Sequence, residues 1–223
     1  MNTGYLTGLI ESNLNVSRET QRDYIGASLI GSPCYRQIWY AFNGHEGLPT
    51  SPKLKRTFEI GNRLEGMVIR LLKDAGKEVI EPDEMNHHLL QFDKDLSYFK
   101  GHADAILSDP EAILEVKTAN DSSFNGFKNQ GLQRWSPRYY SQIQSYMGMS
   151  GIEQGYLICL NKDTSELHDE CVTFDVDYYE RLKEKARIVH DAEVEPPRVN
   201  PSPFYFLCRM CQYRDECFKL SKD

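Results

Sequence analysis

Long apolar runs are missing from this sequence of 223 residues. No stretch reaches the ~18 uninterrupted apolar residues of a membrane-spanning helix. The first eleven residues show no basic segment followed by an apolar core, as a secretory signal would. Internal repeats and low-complexity segments are also missing, which excludes solenoid and fibrous classes. We therefore expect a cytoplasmic protein with no membrane partner.

Positive charge is in deficit, because 26 lysines and arginines face 33 aspartates and glutamates, for a net charge of −7. This excludes a uniformly basic surface for holding nucleic acid, although local basic paths remain. The sequence has no G-x-x-x-x-G-K-[ST] loop, so an ATP-driven motor would have to be a separate partner. Cysteine is also sparse. Six cysteines are too few for a disulfide scaffold, which favours metal or cluster ligation.

Apolar periods and capping residues predict helices and strands in mixed order around one sheet. We assign residues 1–223 to a single domain, because the length and a hydrophobic content of 40% suit one sizeable core. Serine-proline pairs start helices over 33–42 and 137–149, and an apolar helical period predicts a third over 54–75. The remaining predictions are strands 77–80, 87–92, 98–107, 112–118, 155–160 and 170–175 and a helix over 177–192. This order predicts an α/β (α+β) fold.

The strands 98–107 and 112–118 are predicted to form a hairpin around the loop 108–111. A four-residue loop sets a register that places Asp104 opposite Glu115. Directly opposed residues on antiparallel strands share a face, with Cβ atoms about 4.5–5.5 Å apart. Two carboxylates at this distance need a cation between them.

The same face of the hairpin gathers two further polar side chains. Strand alternation places Lys117 beside Glu115, and the register places His102 opposite Lys117. Carboxylate oxygens suit Mg²⁺ or Mn²⁺, and an adjacent lysine orients a water or stabilises charge on a phosphoryl group. The alternative is an ion-paired surface ladder, which the apolar neighbours 112–114 and Val116 disfavour because they indicate a buried strand. The pattern therefore predicts phosphodiester hydrolysis.

The cysteines suggest a second site. Three of them lie in the tail with the spacing C-x2-C-x5-C: Cys208, Cys211 and Cys217. Cys34 is the candidate fourth ligand, because the start of the helix 33–42 favours its thiolate. Four thiolates hold either a 4Fe-4S cluster or zinc, and the spacing leaves both open. Cys159 and Cys171 lie in strand-like runs, where we expect them to be buried as small hydrophobes.

Asp104, ten intervening residues and then Glu115-Val116-Lys117 resemble the signature of PD-(D/E)xK nucleases. The cysteine pattern is similar to that of the iron-sulfur RecB-like branch: CRISPR-associated Cas-four-type exonucleases, the AddB nuclease domain and eukaryotic replication nuclease-helicases. The resemblance runs from about residue 27 to 218. It implies a stand-alone enzyme of phage or mobile-element type with a restriction-endonuclease-like core. We place its catalytic core at 54–150 and its cluster-binding segments at 27–44 and 204–218.

The resemblance also implies ligands. Asp104 and Glu115 would hold Mg²⁺ or Mn²⁺ with the Val116 carbonyl and Glu65 as further ligands. Glu65 stands on the apolar stripe of the helix 54–75, where RecB-like nucleases commonly carry histidine. A 4Fe-4S cluster, with zinc as the alternative, would join the four cysteines of the second site.

Catalytic roles follow from the same resemblance. Lys117 would orient or activate the attacking water. Gln142 and Tyr146, spaced by four residues on one helix face, match the Gln-x-x-x-Tyr motif that RecB-like nucleases place beside the active site and DNA.

Two local basic groups are predicted to contact DNA phosphates despite the net charge. One lies near the start of the helix that carries Glu65: Lys53, Lys55 and Arg56. The other lies between the hairpin and Gln142: Lys128, Arg134 and Arg138. We expect a metal-dependent exonuclease acting on single-stranded DNA or free ends, with recombination, replication or CRISPR adaptation proteins as partners. The alternative is a zinc-stapled nucleic-acid-binding or partner-docking module without catalysis.

Overall fold

The computed structural model describes residues 4–15, 23–82 and 96–220. Its centre is a five-stranded mixed sheet. In spatial order the strands are β2 (Val79–Ile80), β4 (Ala105–Ser108), β5 (Glu111–Ala119), β6 (Gln154–Asn161) and β7 (Leu167–Thr173). Within this sheet β5 and β6 run parallel, and the other neighbours run antiparallel. A separate parallel pair joins β1 (Ile25–Gly26) to β3 (Phe99–Lys100).

Helices cover both faces of the sheet. They are α1 (Tyr5–Asn15), α2 (Ala27–Ile30), α3 (Tyr35–Phe42), α4 (Pro52–Asp74), α5 (Asp121–Gln130), α6 (Leu132–Trp135), α7 (Pro137–Ser150), α8 (Val176–His190), α9 (Phe206–Arg209) and α10 (Arg214–Phe218). The segment α5–α7 is the crossover that parallel strands β5 and β6 require. Within the described ranges, no helix is long and apolar enough to span a bilayer.

Alternation along β5 divides the interior into two cores. Ile113 packs in the larger core, which includes buried residues of α7 and α8. Leu114 and Val116 pack in the smaller core with Val68 and Ile69 of α4. Glu115 shares the face of Ile113, so it points toward the layer that contains α7.

The helix termini have the predicted capping residues, but one helix starts later than predicted. At α7, the Ser136 hydroxyl accepts a hydrogen bond from the Tyr139 N–H, and Gly151 ends the helix with a φ of +79°. At α3, the helix starts two residues later than predicted, and Cys34 is the N-cap. The reason is local: the Ser32 hydroxyl accepts the Cys34 N–H and donates to Gln37, which keeps 32–34 outside the helix.

The apolar stripe of α4 is buried over only part of its length. Val68 and Ile69 are buried, whereas Leu54 and Phe58 are 43% and 52% exposed. The sheet lies under the C-terminal part of α4, and α1 gives its N-terminal part only a small contact. The predicted strand 87–92 lies outside the described residues.

Helices α2 and α7 approach so closely that one added methyl group at their contact should lower the stability of the fold. A Cβ at Gly31 would lie 2.7 Å from the Arg138 Cα, and backbone cannot rotate away as a side chain can. We expect Gly31→Ala to lower the free energy of unfolding by about 1–3 kcal/mol in urea titrations. Gly61→Ala is the matched control, because no atom lies within 4 Å of its added Cβ. It should stabilise α4 by about 0.5–1 kcal/mol. Equal stability of both variants would contradict this packing.

Candidate active site

Asp104 lies at the end of the hairpin ladder. The observed register pairs Ala105 with Leu114, as predicted, and the ladder stops there. The Asp104 carboxylate accepts a hydrogen bond of 2.7 Å from the Val116 N–H, so a side chain takes the place of a backbone partner. Asp104 is thereby turned toward the strand that carries Glu115. The prediction of one continuous strand over 98–107 is wrong, because residues 101–104 leave the sheet.

Glu115 is a fully buried carboxylate with unequal oxygens. Its Oε1 accepts hydrogen bonds from the Lys117 ammonium and, at 2.7 Å, from the Gln142 amide. Gln142 also donates to the Tyr146 hydroxyl at 2.8 Å. The other oxygen, Oε2, is buried without a hydrogen-bond partner among the described residues. The structure thus brings together four of the predicted residues, and it leaves one acceptor unmatched.

Burial dominates the acid-base properties of this group. It raises the pKa of Glu115 to about 8, which Lys117 opposes and Asp104 reinforces. Burial likewise raises the pKa of Asp104, against the Lys117 charge and the Val116 N–H bond. Burial lowers the pKa of Lys117, but the Glu115 and Asp104 carboxylates outweigh it and hold that pKa above its ordinary value. Lys117 is therefore a fixed positive charge at neutral pH.

Glu65 adds a third carboxylate from the neighbouring helix α4. Burial and the Asp104 charge raise its pKa to about 7, and Lys117 opposes them. Three carboxyl groups thus interact with a single lysine, and the raised pKa values of Glu65 and Glu115 mean that both groups retain protons near neutral pH when no cation is present. No three His, Cys, Asp or Glu side chains in the described ranges form a ready-made metal site, so ion binding would require side-chain rotation. The donor set itself, hard oxygens with one unmatched, fits Mg²⁺ or Mn²⁺.

A small polar cavity of about 190 Å³ opens beside Gln142 and Tyr146. Its remaining lining comes from distant segments: Tyr24, Gly26, Ala27, Ser28, Lys100, Gly101 and His102. His102 therefore lies here and not in a ladder opposite Lys117 as predicted, because the strand breaks before it. Gly101 allows the backbone to pass close to the Tyr146 ring in the cavity wall, since a Cβ there would lie 2.5 Å from that ring.

The predicted basic groups are partly engaged within the protein. In the first group, Lys55 donates to the Leu14 carbonyl at 2.5 Å and Arg56 lies 3.4 Å from Glu11, which ties α4 to α1. Lys53 is exposed. In the second group, the Arg138 Nε donates to the Ser28 carbonyl at 2.6 Å, the Lys128 ammonium lies over the Phe124 ring, and Arg134 is exposed.

The four predicted ligand cysteines line one cavity of about 590 Å³: Cys34, Cys208, Cys211 and Cys217. Among the described residues, no Asp or Glu lines this cavity, whereas four arginines do: Arg36, Arg138, Arg198 and Arg214. One of them, Arg36, points its Nη1 at the Cys217 sulfur from 3.8 Å. Burial and the neighbouring thiols raise the pKa of Cys208 and Cys211. Within the described residues these thiols do not form a ready-made metal site, but soft sulfur donors in a cavity lined by arginines are the donor set that an iron-sulfur cluster or zinc takes.

The other two cysteines differ from each other. Cys159 is fully buried on β6, as predicted, and burial raises its pKa to about 11. Cys171 is exposed, so that prediction is wrong. It lies on β7, the edge strand, where residues alternate between half-buried and exposed.

The sequence matches no family model and no curated protein. Solved structures do match the fold. The alkaline exonuclease LHK-Exo from Laribacter hongkongensis gives a TM-score of 0.58 at 14% identity, over 76% of this chain and 87% of that chain. LHK-Exo in complex with dAMP gives 0.57 at 14% identity, over 75% and 86%. The structure of SSO0001 gives 0.56 at 16% identity, over 94% and 95%.

The chain has the fold of these structures. The predicted mixed central sheet flanked by helices is thereby confirmed. The similarity to SSO0001 includes almost the whole chain, and the similarity to LHK-Exo includes about three quarters of it.

The raised carboxylate pKa values predict a pH-dependent stability. Folding raises the pKa of Glu65 and Glu115 from 4.5 to about 7 and 8, so the folded state binds more protons than the unfolded state. With EDTA present, the free energy of unfolding should therefore fall as the pH rises from 4.5 to 8. Urea titrations across this range should show a shallower fall in Glu65→Gln. The control Glu111→Gln, at an exposed position, should follow the wild type. Identical slopes in all three proteins would contradict the assignment.

Proposed function

We propose that this chain is a metal-dependent deoxyribonuclease that removes nucleotides from DNA ends. The observation that carries the proposal is the buried Glu115, which has one unmatched oxygen and lies beside Asp104 and Lys117. This group combines cation ligands with a fixed positive charge, which phosphodiester hydrolysis requires. The shared fold supports the same reading, since one matching structure is described as an alkaline exonuclease and another as its complex with dAMP.

The residues of the proposed site divide into ligands and donors. Asp104 and Glu115 would hold one or two Mg²⁺ or Mn²⁺ ions, with Glu65 and the Val116 carbonyl as further ligands. When bound, such an ion polarises the phosphoryl oxygens and lowers the pKa of a water molecule. Lys117 keeps its proton because its pKa is raised, so it acts as a donor that orients the water and offsets negative charge.

The Gln-x-x-x-Tyr pair would position both the metal-binding carboxylate of Glu115 and the DNA strand. Gln142 holds Glu115 Oε1 and is itself oriented by the Tyr146 hydroxyl. The small polar cavity next to this pair would receive part of the DNA strand, with Lys100 and Ser28 in its lining.

The cysteine cavity would hold a 4Fe-4S cluster, with a zinc ion as the alternative. Such a group would join the segments 27–44 and 204–218, which flank the catalytic core 54–150 within one domain. The exposed Lys53, Lys128 and Arg134 would guide DNA phosphates toward the site. Following the resemblance to stand-alone nucleases of phages and mobile elements, we place the chain in recombination, replication or CRISPR-type processing.

The proposed roles predict loss of cleavage with the fold intact. With Mn²⁺ and end-labelled single- and double-stranded DNA, Asp104→Asn should abolish degradation. Lys117→Met should lower kcat about 10²- to 10³-fold, because charge stabilisation at the phosphoryl group is lost. Glu111→Gln, an exposed position on the same strand, should keep wild-type activity. Wild-type rates in Asp104→Asn, or no cleavage by the wild type, would favour the non-catalytic binding module.

The cysteine assignment predicts a metal content that depends on four thiols only. Protein purified without oxygen should contain iron and show the broad visible absorbance of thiolate-bound iron. Cys208→Ser should lose both the metal and part of the thermal stability. The matched control Cys171→Ser, at an exposed position outside the cavity, should lose neither. Equal metal content in the two variants would refute the assignment. Zinc without iron would show that the four cysteines bind zinc in place of a 4Fe-4S cluster.

A further inference from the structure

Two of the groups around the Lys117 ammonium differ in kind. One is Glu115 Oε1, which accepts its hydrogen bond. The other is the ring of Tyr139, whose centroid lies 5.3 Å from the ammonium nitrogen. A cation at this distance from a ring face is attracted by the negative face of the π system. The ammonium is therefore bounded by a carboxylate and by an aromatic ring.

The Tyr139 ring is itself held in place. Its backbone N–H lies in the first turn of α7, where Ser136 caps it. Its ring contacts the Trp135 ring at 5.5 Å between centroids, and Trp135 stacks on Phe127 at 4.9 Å. The Trp135 indole N–H donates to the Ser123 hydroxyl at 3.2 Å. The ring is thus fixed to the crossover segment α5–α7.

Helix α7 therefore contacts both partners of the Glu115–Lys117 ion pair. Gln142 reaches Glu115, and Tyr139, three residues earlier, covers Lys117. A lysine side chain is a flexible stem that loses rotamer freedom when its ammonium is held in one place. Two fixed contacts restrict that ammonium more than the carboxylate alone would.

We propose that Tyr139 is a positioning residue of the nuclease reaction: its ring face holds the Lys117 ammonium next to the position that the scissile phosphate will take. This inference rests on the proposed nuclease function. The ring face is the active feature, and the Tyr139 hydroxyl is dispensable. A residue that acts through Lys117 in this way changes the rate of the chemical step and leaves DNA affinity unchanged.

The experiment compares Tyr139→Phe with Tyr139→Leu in steady-state degradation of end-labelled DNA with Mn²⁺. Tyr139→Phe keeps the ring, so kcat should stay within about twofold of the wild type. Tyr139→Leu removes the ring, and we expect kcat to fall about tenfold with KM unchanged, as the loss of a partly buried cation–π contact predicts. Chemical shifts of the Lys117 side-chain protons give a second readout, because the ring current should disappear in Tyr139→Leu and persist in Tyr139→Phe.

Fluorinated phenylalanines at position 139 separate this role from simple packing. They keep the shape of the ring while fluorine progressively cancels its negative face, so kcat should fall as fluorine atoms are added. This series also decides the matter if Tyr139→Leu fails to fold.

Three results would overturn the inference: a raised KM with unchanged kcat, which would show contact with DNA; equal kcat in the Leu and Phe variants; or no dependence on fluorine. A wild-type protein that cleaves no DNA would instead refute the nuclease proposal. In that case the Lys117 chemical shifts would still report whether the ring contact exists.

Discussion

The fold is organised around one costly feature, the complete burial of the Glu115 carboxylate. A buried charge is tolerated only when it is paired and hydrogen-bonded. Lys117 and Gln142 supply that pairing for one oxygen. Helix α7 packs on β5, and this position allows Gln142 to reach Glu115. The opposite face of β5 has no such demand and packs Leu114 and Val116 in an apolar core against α4.

The segment from the last residue of β1 to the start of α3 links the two candidate sites. Gly26, Ala27 and Ser28 line the small cavity beside Gln142, and residues 31–34 line the cysteine cavity a few residues later. Arg138 connects the two regions, because it lines the cysteine cavity and donates to the Ser28 carbonyl. A group held by the four cysteines would therefore restrict the residues that line the small cavity. In this account such a group would support the site mechanically and take no part in hydrolysis.

Local signals in the sequence predict the part of the site that lies on one hairpin and one helix. Two-residue alternation and a short turn set the register that brings Asp104 close to Glu115, and the i, i+4 spacing places Gln142 with Tyr146. Ser28 and Lys100 were not predicted, because the small cavity forms only when distant segments meet. Cys171 was assigned to the interior because strand pattern alone does not identify an edge strand.

The central claim is that the carboxyl groups of Asp104, Glu115 and Glu65 bind a divalent cation, which would displace the protons that their raised pKa values retain. A crystal structure of the protein soaked in Mn²⁺, with anomalous scattering recorded at the manganese edge, tests this claim most directly. The account predicts an anomalous peak within about 2.5 Å of oxygens from both Asp104 and Glu115. No peak at the carboxylates under saturating Mn²⁺, or a peak only elsewhere on the chain, would contradict the account.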